Sequence, residues 1–502
     1  MGVVIDGASL DIDDVEVVAN GGVVSLAASV AARMRATNDV VGSIVRSGAV
    51  AYGITTGFGK LSDVAIPLER LAELQVNLVR SHASGVGPLL SEREVRAMML
   101  LRANVLAKGF SGARPELAEL LIGMLNAGLH PPVPEQGSVG ASGDLAPLAH
   151  LALALIGEGE LMRGGTSGHA RDMLAGAGLA PLELGPKEGI TLINGTQCHT
   201  AVGALCLVQA RLLWRTAHTA GAATLDALLG TPTAFDKRIH EARGQVGQAH
   251  SAALLHRLLE GSEIRESHRH GDARVQDAYA LRCMPQVHGP VWDAIDFAGG
   301  MIARELNAAT DNPLVFPNGD VLSGGNFHGQ AVGLALDVLA IALTNLATIA
   351  ERRIDRLVNP DLNEGLPPFL VEDAGANSGF MMAQVTAASL ASECKVLAHP
   401  ATVDTIPTDG NKEDVVPMSM GAAWKLRRIV DNVRYVLAIE LMCAAQALDF
   451  RAPLRSSRPI RSAHEGVRSL VRHLDRDRVL SPDIQAIANA VGAGRFASQD
   501  IQ

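Results

Sequence analysis

Apolar positions recur along this chain at helical spacing far more often than in strand alternation. Ser91 and Glu94 stand three apart ahead of a periodic run, the arrangement of a capping box. Val95, Met98, Met99, Arg102 and Leu106 follow at helical spacing until Gly109 stops them. Neither Gly nor Pro interrupts the chain between Gly333 and Pro360, and the same holds from Ala422 to Ala452. As one helix the second stretch, about 30 residues, would span roughly 45 Å. Residues 204 to 220 make another uninterrupted, largely apolar run. Several long apolar helices imply a bundle that buries them on several sides, within one chain or between chains.

Strand signals are few. Leu314-Val315-Phe316 and Val321-Leu322 flank Pro317-Asn318-Gly319-Asp320, which predicts a small hairpin around an Asn-Gly turn. The expected fold class is therefore mainly α with few short strands. The working division is an N-terminal domain over residues 1–200 and a long helical bundle over residues 201–502.

Composition sharpens this picture. Apolar residues make up 48% of the 502 but aromatics only 3%, so the core is mostly Ala, Leu, Val and Ile, which suits close-packed helices. The net charge of −10 comes with no basic stripe, which argues against a nucleic-acid partner. Five dispersed cysteines without paired metal spacing fit a reducing cytoplasm better than a disulfide framework. Asp6, Asp11, Asp13 and Asp14 at the start give no signal-peptide pattern. The most apolar stretch, 331–350, carries Asp337 and Asn345 and is expected as a buried bundle helix rather than a membrane span. No membrane partner is expected.

The strongest chemical signal is Gly140-Ala141-Ser142-Gly143-Asp144. Ala-Ser-Gly can close on itself: the Gly143 nitrogen attacks the Ala141 carbonyl carbon, and loss of water gives a five-membered imidazolone. Loss of a second water from Ser142 leaves an exocyclic methylene, an electrophile that no ordinary side chain provides. Gly143 has no side chain to obstruct the attack, and Ala141 is small enough for the loop to compress. Alone, such a tripeptide is an ordinary flexible loop. Its surroundings, Gly137-Ser138-Val139 before it and Leu145-Ala146-Pro147-Leu148-Ala149-His150 after it, resemble the cofactor-forming signature of the aromatic amino acid ammonia-lyase and aminomutase family. The ring in that family is 4-methylideneimidazole-5-one (MIO), and no external cofactor is implied.

Other motifs extend the resemblance over essentially the whole chain. Tyr52, in Tyr52-Gly53-Ile54-Thr55-Thr56-Gly57-Phe58-Gly59, reads on its own as a loop packing residue. The run resembles the loop that carries the family's catalytic base. A phosphate loop ending at Lys60 is rejected, because Leu61 stands where Ser or Thr is needed. Gln276-Asp277-Ala278-Tyr279-Ala280-Leu281-Arg282-Cys283 could be a plain helix start. It resembles the family signature in which the Arg grips the substrate carboxylate, as a guanidinium fork can. Asn194, in Leu192-Ile193-Asn194-Gly195-Thr196-Gln197, is an Asx-turn candidate that the resemblance assigns to hydrogen bonding of the MIO group and substrate. Glu305-Leu306-Asn307, Thr310-Asp311-Asn312-Pro313, Gly324-Gly325-Asn326-Phe327-His328-Gly329 and Ser378-Gly379-Phe380-Met381 follow in the family's order. His268 and His270 lack a carboxylate or thiolate cluster to complete a metal site and read as a solvated loop.

Three features are similar to the histidine-acting branch of the family: His82 in Ser81-His82-Ala83, the stretch from Leu397 to Thr408, and Glu413 in Asn411-Lys412-Glu413-Asp414. Tyrosine and phenylalanine enzymes usually carry a neutral amide in place of Glu413. A carboxylate facing imidazole can accept its N–H; facing a bare phenyl ring it would be an unpaired buried charge. Met381 also matches the histidine branch, whereas lyases acting on a betaine of thiohistidine use Lys there. The chain departs from the branch at Met284 and His288, at Gln330, at Asp409-Gly410, and over Val415-Val416-Pro417-Met418-Ser419-Met420.

The resemblance thus implies elimination of ammonium from L-histidine to give trans-urocanate in a cytoplasmic homotetramer. Tyr52 would take the β-proton, helped by nearby helix N-termini. Asn194 and Tyr279 would support MIO and the amine, and Arg282 would hold the carboxylate. His82, Phe327 and Glu413 would hold the imidazole, with Gln276 completing the polar shell. A tyrosine or phenylalanine lyase or 2,3-aminomutase is the near alternative, and a non-catalytic helical scaffold the distant one.

Overall fold

The computed structural model describes residues 2–498, so the last four residues of the expected second domain lie outside it. Helices dominate, the longest being Gln197–Ala227, Met284–Glu305, Gln330–Val358 and Ser419–Asp449. Four two-stranded sheets are the β-structure among the described residues, so the mainly helical expectation holds. The hairpin forms as expected, with Leu314 opposite Leu322 and Val315 opposite Val321, and Gly319 supplies the positive φ of 100°.

The helix Glu92–Ala107 starts as its sequence dictates: the Ser91 hydroxyl accepts from Glu94 N while Glu94 reaches back to Ser91 N. Fourteen of its residues are buried, so it is a central rod rather than a surface helix. Other helices overrun their expected limits. The run at 204–220 is part of Gln197–Ala227, with Gly203 and Gly221 inside it. Both glycines stand where a neighbour comes close: an added Cβ at Gly203 would meet Leu336 at 2.8 Å, and one at Gly221 would meet Met284 at 2.5 Å. Tight packing thus keeps residues that sequence reading takes as helix stops. Gln330–Val358 is long and apolar enough to cross a membrane, and 67% of its most apolar window is buried within the fold.

Two compact units divide the chain. The first comprises residues 1–208, 298–337 and 400–424; the second comprises 209–297, 338–399 and 425–502. The expected division cuts once, at residue 200, whereas these units interleave in sequence because the long helices leave a unit and later segments return to it. The first unit carries the Ala141-Ser142-Gly143 loop. The second is built around Trp214, His218, His288, Arg353 and Glu440, all fully buried.

Candidate functional site

The loop before the helix Leu145–Leu155 folds back sharply, with Gly140 and Gly143 bridged across Ala141 and Ser142. This turn folds back the segment within which the Gly143 nitrogen must reach the Ala141 carbonyl. Gly143 has φ +71°, and a Cβ there would lie 2.1 Å from Gly195 O, so no other residue fits. Asp144 N donates to Gly195 O at 2.8 Å, and Gly329 N donates to Gly140 O at 3.0 Å, fixing the turn on both sides.

Asp144 is buried and anchors the loop. Its carboxylate accepts from Ser138 Oγ at 2.8 Å and from His199 N at 2.9 Å, and it pairs with the His199 ring at 2.9 Å. Burial alone would raise its pKa, but His199 and these hydrogen bonds bring it below the ordinary aspartate value.

Asn194 caps the short helix Glu188–Ile193, and its side-chain amide donates to Ser142 O at 2.8 Å. Behind it Arg102 is wholly buried, donating to Thr191 O at 2.8 Å, to Asn194 O at 3.1 Å and to Gln197 Oε1. Burial pulls the Arg102 guanidinium down to about 10. Lys187 and Asp311 form a second buried pair at 3.2 Å, which accounts for the Asp in Thr310-Asp311-Asn312-Pro313. The sequence motifs give Arg102, Asp144 and Lys187 no role of their own at the site. A charged residue such as Arg102 inside an otherwise apolar helical pattern was the available signal.

Two adjoining cavities of about 610 and 500 Å³ share Tyr52, Gly59, Ser142, Asn312, Phe327, Asp409 and Glu413. Leu61, Val64, Ile66, Leu74 and Leu78 make the larger one apolar, with Asn194 and His82 among its polar groups. His328, Lys412 and Asp414 make the smaller one polar, and Ala141 lies on its wall.

His82 ends the helix Leu71–His82 with Nδ1 2.8 Å from Leu78 O. A carbonyl only accepts, so Nδ1 carries the proton and Nε2 is left as an acceptor. Glu413 Oε2 accepts from Thr408 Oγ1 at 2.5 Å, and its Oε1 accepts from Ser142 Oγ. The Tyr52 hydroxyl accepts from Gly59 N at 3.4 Å, and Asp409 accepts from Lys60 N at 3.1 Å, which ties the Tyr52 loop down. Burial raises the Tyr52 pKa above the ordinary phenol value; the Gly59 N–H opposes this, and Asp409 and Glu413 add to it. The raised value is opposite in direction to the lowering expected from helix N-termini, with burial its largest cause.

The structure therefore gathers Tyr52, His82, Ala141, Ser142, Asn194, Phe327 and Glu413, with Gly143 fixing the loop, in one unit. Gln276, Tyr279 and Arg282 belong to the second unit and are not among the residues lining these cavities. Gln276 is exposed, Tyr279 is 71% exposed, and the Arg282 guanidinium lies 4.6 Å over the Tyr279 ring.

Known proteins resemble this chain over nearly its whole length. The chain is 53% identical over 506 aligned positions to a histidine ammonia-lyase of Koribacter versatilis, covering 98% of both chains. It superposes with a TM-score of 0.92 on the crystal structure of histidine ammonia-lyase from Trypanosoma cruzi, at 42% identity, covering 99% of this chain and 94% of that one. It also superposes at 0.94 on a tyrosine aminomutase from Streptomyces globisporus, at 38% identity, covering 99% of this chain and 98% of that one. The sequence model of aromatic amino acid lyases matches residues 10–469, and the chain belongs to that family.

Proposed function

We propose that this carbon–nitrogen lyase removes ammonium from L-histidine to give trans-urocanate, using an MIO electrophile formed from Ala141, Ser142 and Gly143. The observation that carries the substrate assignment is Glu413, a carboxylate on the wall of a largely apolar cavity that also holds the His82 acceptor. A phenyl ring offers such a pair nothing to donate, whereas an imidazole offers an N–H.

The loop fits the prosthetic group on three counts: the fold-back at Gly140 and Gly143, the absence of room for a Cβ at Gly143, and the Asn194 donor on Ser142 O. Once formed, the ring supplies an electrophilic carbon that draws electrons from the bound amino acid. This chain's own residues do the rest. The apolar wall and Phe327 enclose the substrate ring and exclude water. Glu413 and the Nε2 lone pair of His82 are acceptors for the single N–H of the neutral imidazole, one for each orientation of the ring. The Tyr52 oxygen takes the β-proton, and its raised pKa makes it a strong base once ionised.

Arg282 would grip the carboxylate, with Tyr279 supporting the amine and Gln276 in the polar shell, all three contributed by another copy in a homotetramer. The exposure of Gln276 and Tyr279 supports this, as do exposed apolar side chains on long helices, among them Met382 at 61% and Val396 at 70%. Mixing Tyr52→Phe with Arg282→Ala protein under subunit exchange should restore activity; a fully active monomer in light scattering would contradict the assembly. Five dispersed cysteines suit work in a reducing cytoplasm. The substrate assignment is tested by comparing kcat/KM for histidine, tyrosine and phenylalanine through ammonium release and product absorbance. Histidine should lead. A wide margin for tyrosine or phenylalanine, or a β-amino acid as product, would overturn it.

A further inference from the structure

We infer that Glu413 serves the enzyme before any substrate arrives, as the general acid that expels the Ser142 hydroxyl while the electrophile forms. This rests on the MIO reading above and adds to it the group that drives the second loss of water.

The Ser142 hydroxyl donates to Glu413 Oε1, so the leaving oxygen of the dehydration already touches a carboxyl group. Hydroxide is a poor leaving group, and a positioned acid removes that obstacle by making it leave as water. The other carboxyl oxygen is held by Thr408 Oγ1 at 2.5 Å, which fixes the orientation of Oε1 toward Ser142. The backbone pairing of Thr408 with Glu413, N to O at 2.9 Å, holds both on one short turn. On the opposite side Asn194 Nδ2 donates to Ser142 O at 2.8 Å. That donor stabilises the negative charge that builds on the carbonyl oxygen as the Ser142 Cα–H bond breaks. Acid and oxyanion donor thus bracket one residue, one on each atom that gains electrons.

The step balances as follows. After ring closure has released the first water, the Ser142 Cα proton passes to solvent water and its electron pair forms the Cα=Cβ bond. Glu413 first takes a proton from solvent water, so that its Oε1–H now donates to Oγ in the contact where the carboxylate accepts; as the Cβ–Oγ bond breaks that proton passes to Oγ, and the second water departs. Glu413 is left as a carboxylate whose Oε1 has lost its partner. That vacated acceptor is the one the imidazole N–H would then fill, so a single carboxyl group is used first as an acid and later as an acceptor. Asn194 is a positioning and charge-stabilising partner in the first role.

The test is intact mass of freshly refolded full-length protein followed over time. Wild type should become two waters lighter than its sequence. Glu413→Gln should stall one water lighter, reaching the final mass about a hundredfold or more slowly, a typical value for a missing acid. That one-water species forms only where the loop has folded well enough to cyclise, so it separates lost acid chemistry from misfolding. Glu413→Asp, which keeps an acid, should recover the second loss more than Gln does, and Thr408→Val should slow it less than Gln does. Arrival of Glu413→Gln at the two-water mass at the wild-type rate would overturn the inference, and so would a variant that stays at full mass. A wild-type protein at its full sequence mass would instead overturn the MIO reading itself.

Discussion

In the second unit, Arg353 and Glu440 are both fully buried and pair with each other through two contacts, with Arg353 Nη2 2.9 Å from Glu440 Oε2, and Thr224 Oγ1 donates to Glu440 Oε1 at 3.0 Å. The histidines beside them are held neutral: burial pulls His218 down to about 3 and pushes His288 well below the ordinary value. The groups around the two cavities of the first unit are arranged differently. Asn194 Oδ1 is buried without a hydrogen-bond partner, His82 presents a free Nε2, and the Tyr52 hydroxyl accepts one long bond. A buried network whose charges are paired holds a fold together; one whose groups are fixed from behind and open in front is arranged to act on something else.

The sharpest way to break this contrast is to remove one polar group from each region. Ser142→Ala removes the hydroxyl whose loss would create the electrophile. Activity should fall on the order of a thousandfold or more, at least what one preorganised donor contributes, while circular dichroism and the unfolding midpoint stay unchanged. Undiminished turnover by the variant would end the MIO reading. Glu440→Leu should do the opposite, leaving Arg353 buried and uncompensated. The expected loss is about 3–5 kcal/mol of stability in urea unfolding. Adding Arg353→Met to it should recover most of that loss, because the pair can then be replaced by packing. If the double variant is as unstable as the single, the pair is not a self-contained unit.

The same contrast explains how much could be read from sequence. The capping box at Ser91, the hairpin at Asn318-Gly319 and the helical character of the long runs are local, and local chemistry sets them. The loop residues Tyr52, Ser142, Asn194 and Glu413 could be picked out because their reactive types sit in short distinctive strings. The roles of Arg102, Lys187 and Asp144 escape a sequence reading because they are set by what lies behind the loop, at separations of 124 positions for Lys187 with Asp311, 92 for Arg102 with Asn194 and 55 for Asp144 with His199. The extent of the helix Gln197–Ala227 beyond the apolar run at 204–220 is set by packing of the same long-range kind. A glycine that stops an isolated helix is retained inside a packed one when Leu336 or Met284 needs the space. The interleaving of the two units is a long-range property of the same kind.

A smaller effect is expected at His82. Its free Nε2 would bond the substrate ring, a neutral contact worth about 0.5–1.5 kcal/mol. His82→Leu should then lower kcat/KM for histidine roughly two- to tenfold and raise the relative rate with phenylalanine, since it removes a polar wall from a cavity otherwise lined by Leu61, Val64 and Ile66. An unchanged preference would show that Glu413 sets the ring specificity without His82.

The finest test concerns Asp409, a residue that departs from the histidine-branch pattern and sits between the two behaviours. Its carboxylate is tied to Lys60 N, as a structural group would be, yet it also faces the cavity and raises the Tyr52 pKa. Burial is the larger cause of that raised value, and Glu413 contributes in the same direction. If Tyr52 is the base, it must be ionised to work, so kcat/KM should climb with pH along a limb set by its pKa. A negative charge nearby disfavours the phenolate; removing it favours the phenolate and lowers the pKa. Asp409→Asn keeps an acceptor for Lys60 N but loses the charge, so the rising limb should move toward lower pH, by less than about one unit because Asp409 is only a secondary contributor. Activity at pH values below the limb should rise accordingly. A limb that moves to higher pH, or one that stays in place while Tyr52→Phe retains full activity, would take the base role away from Tyr52.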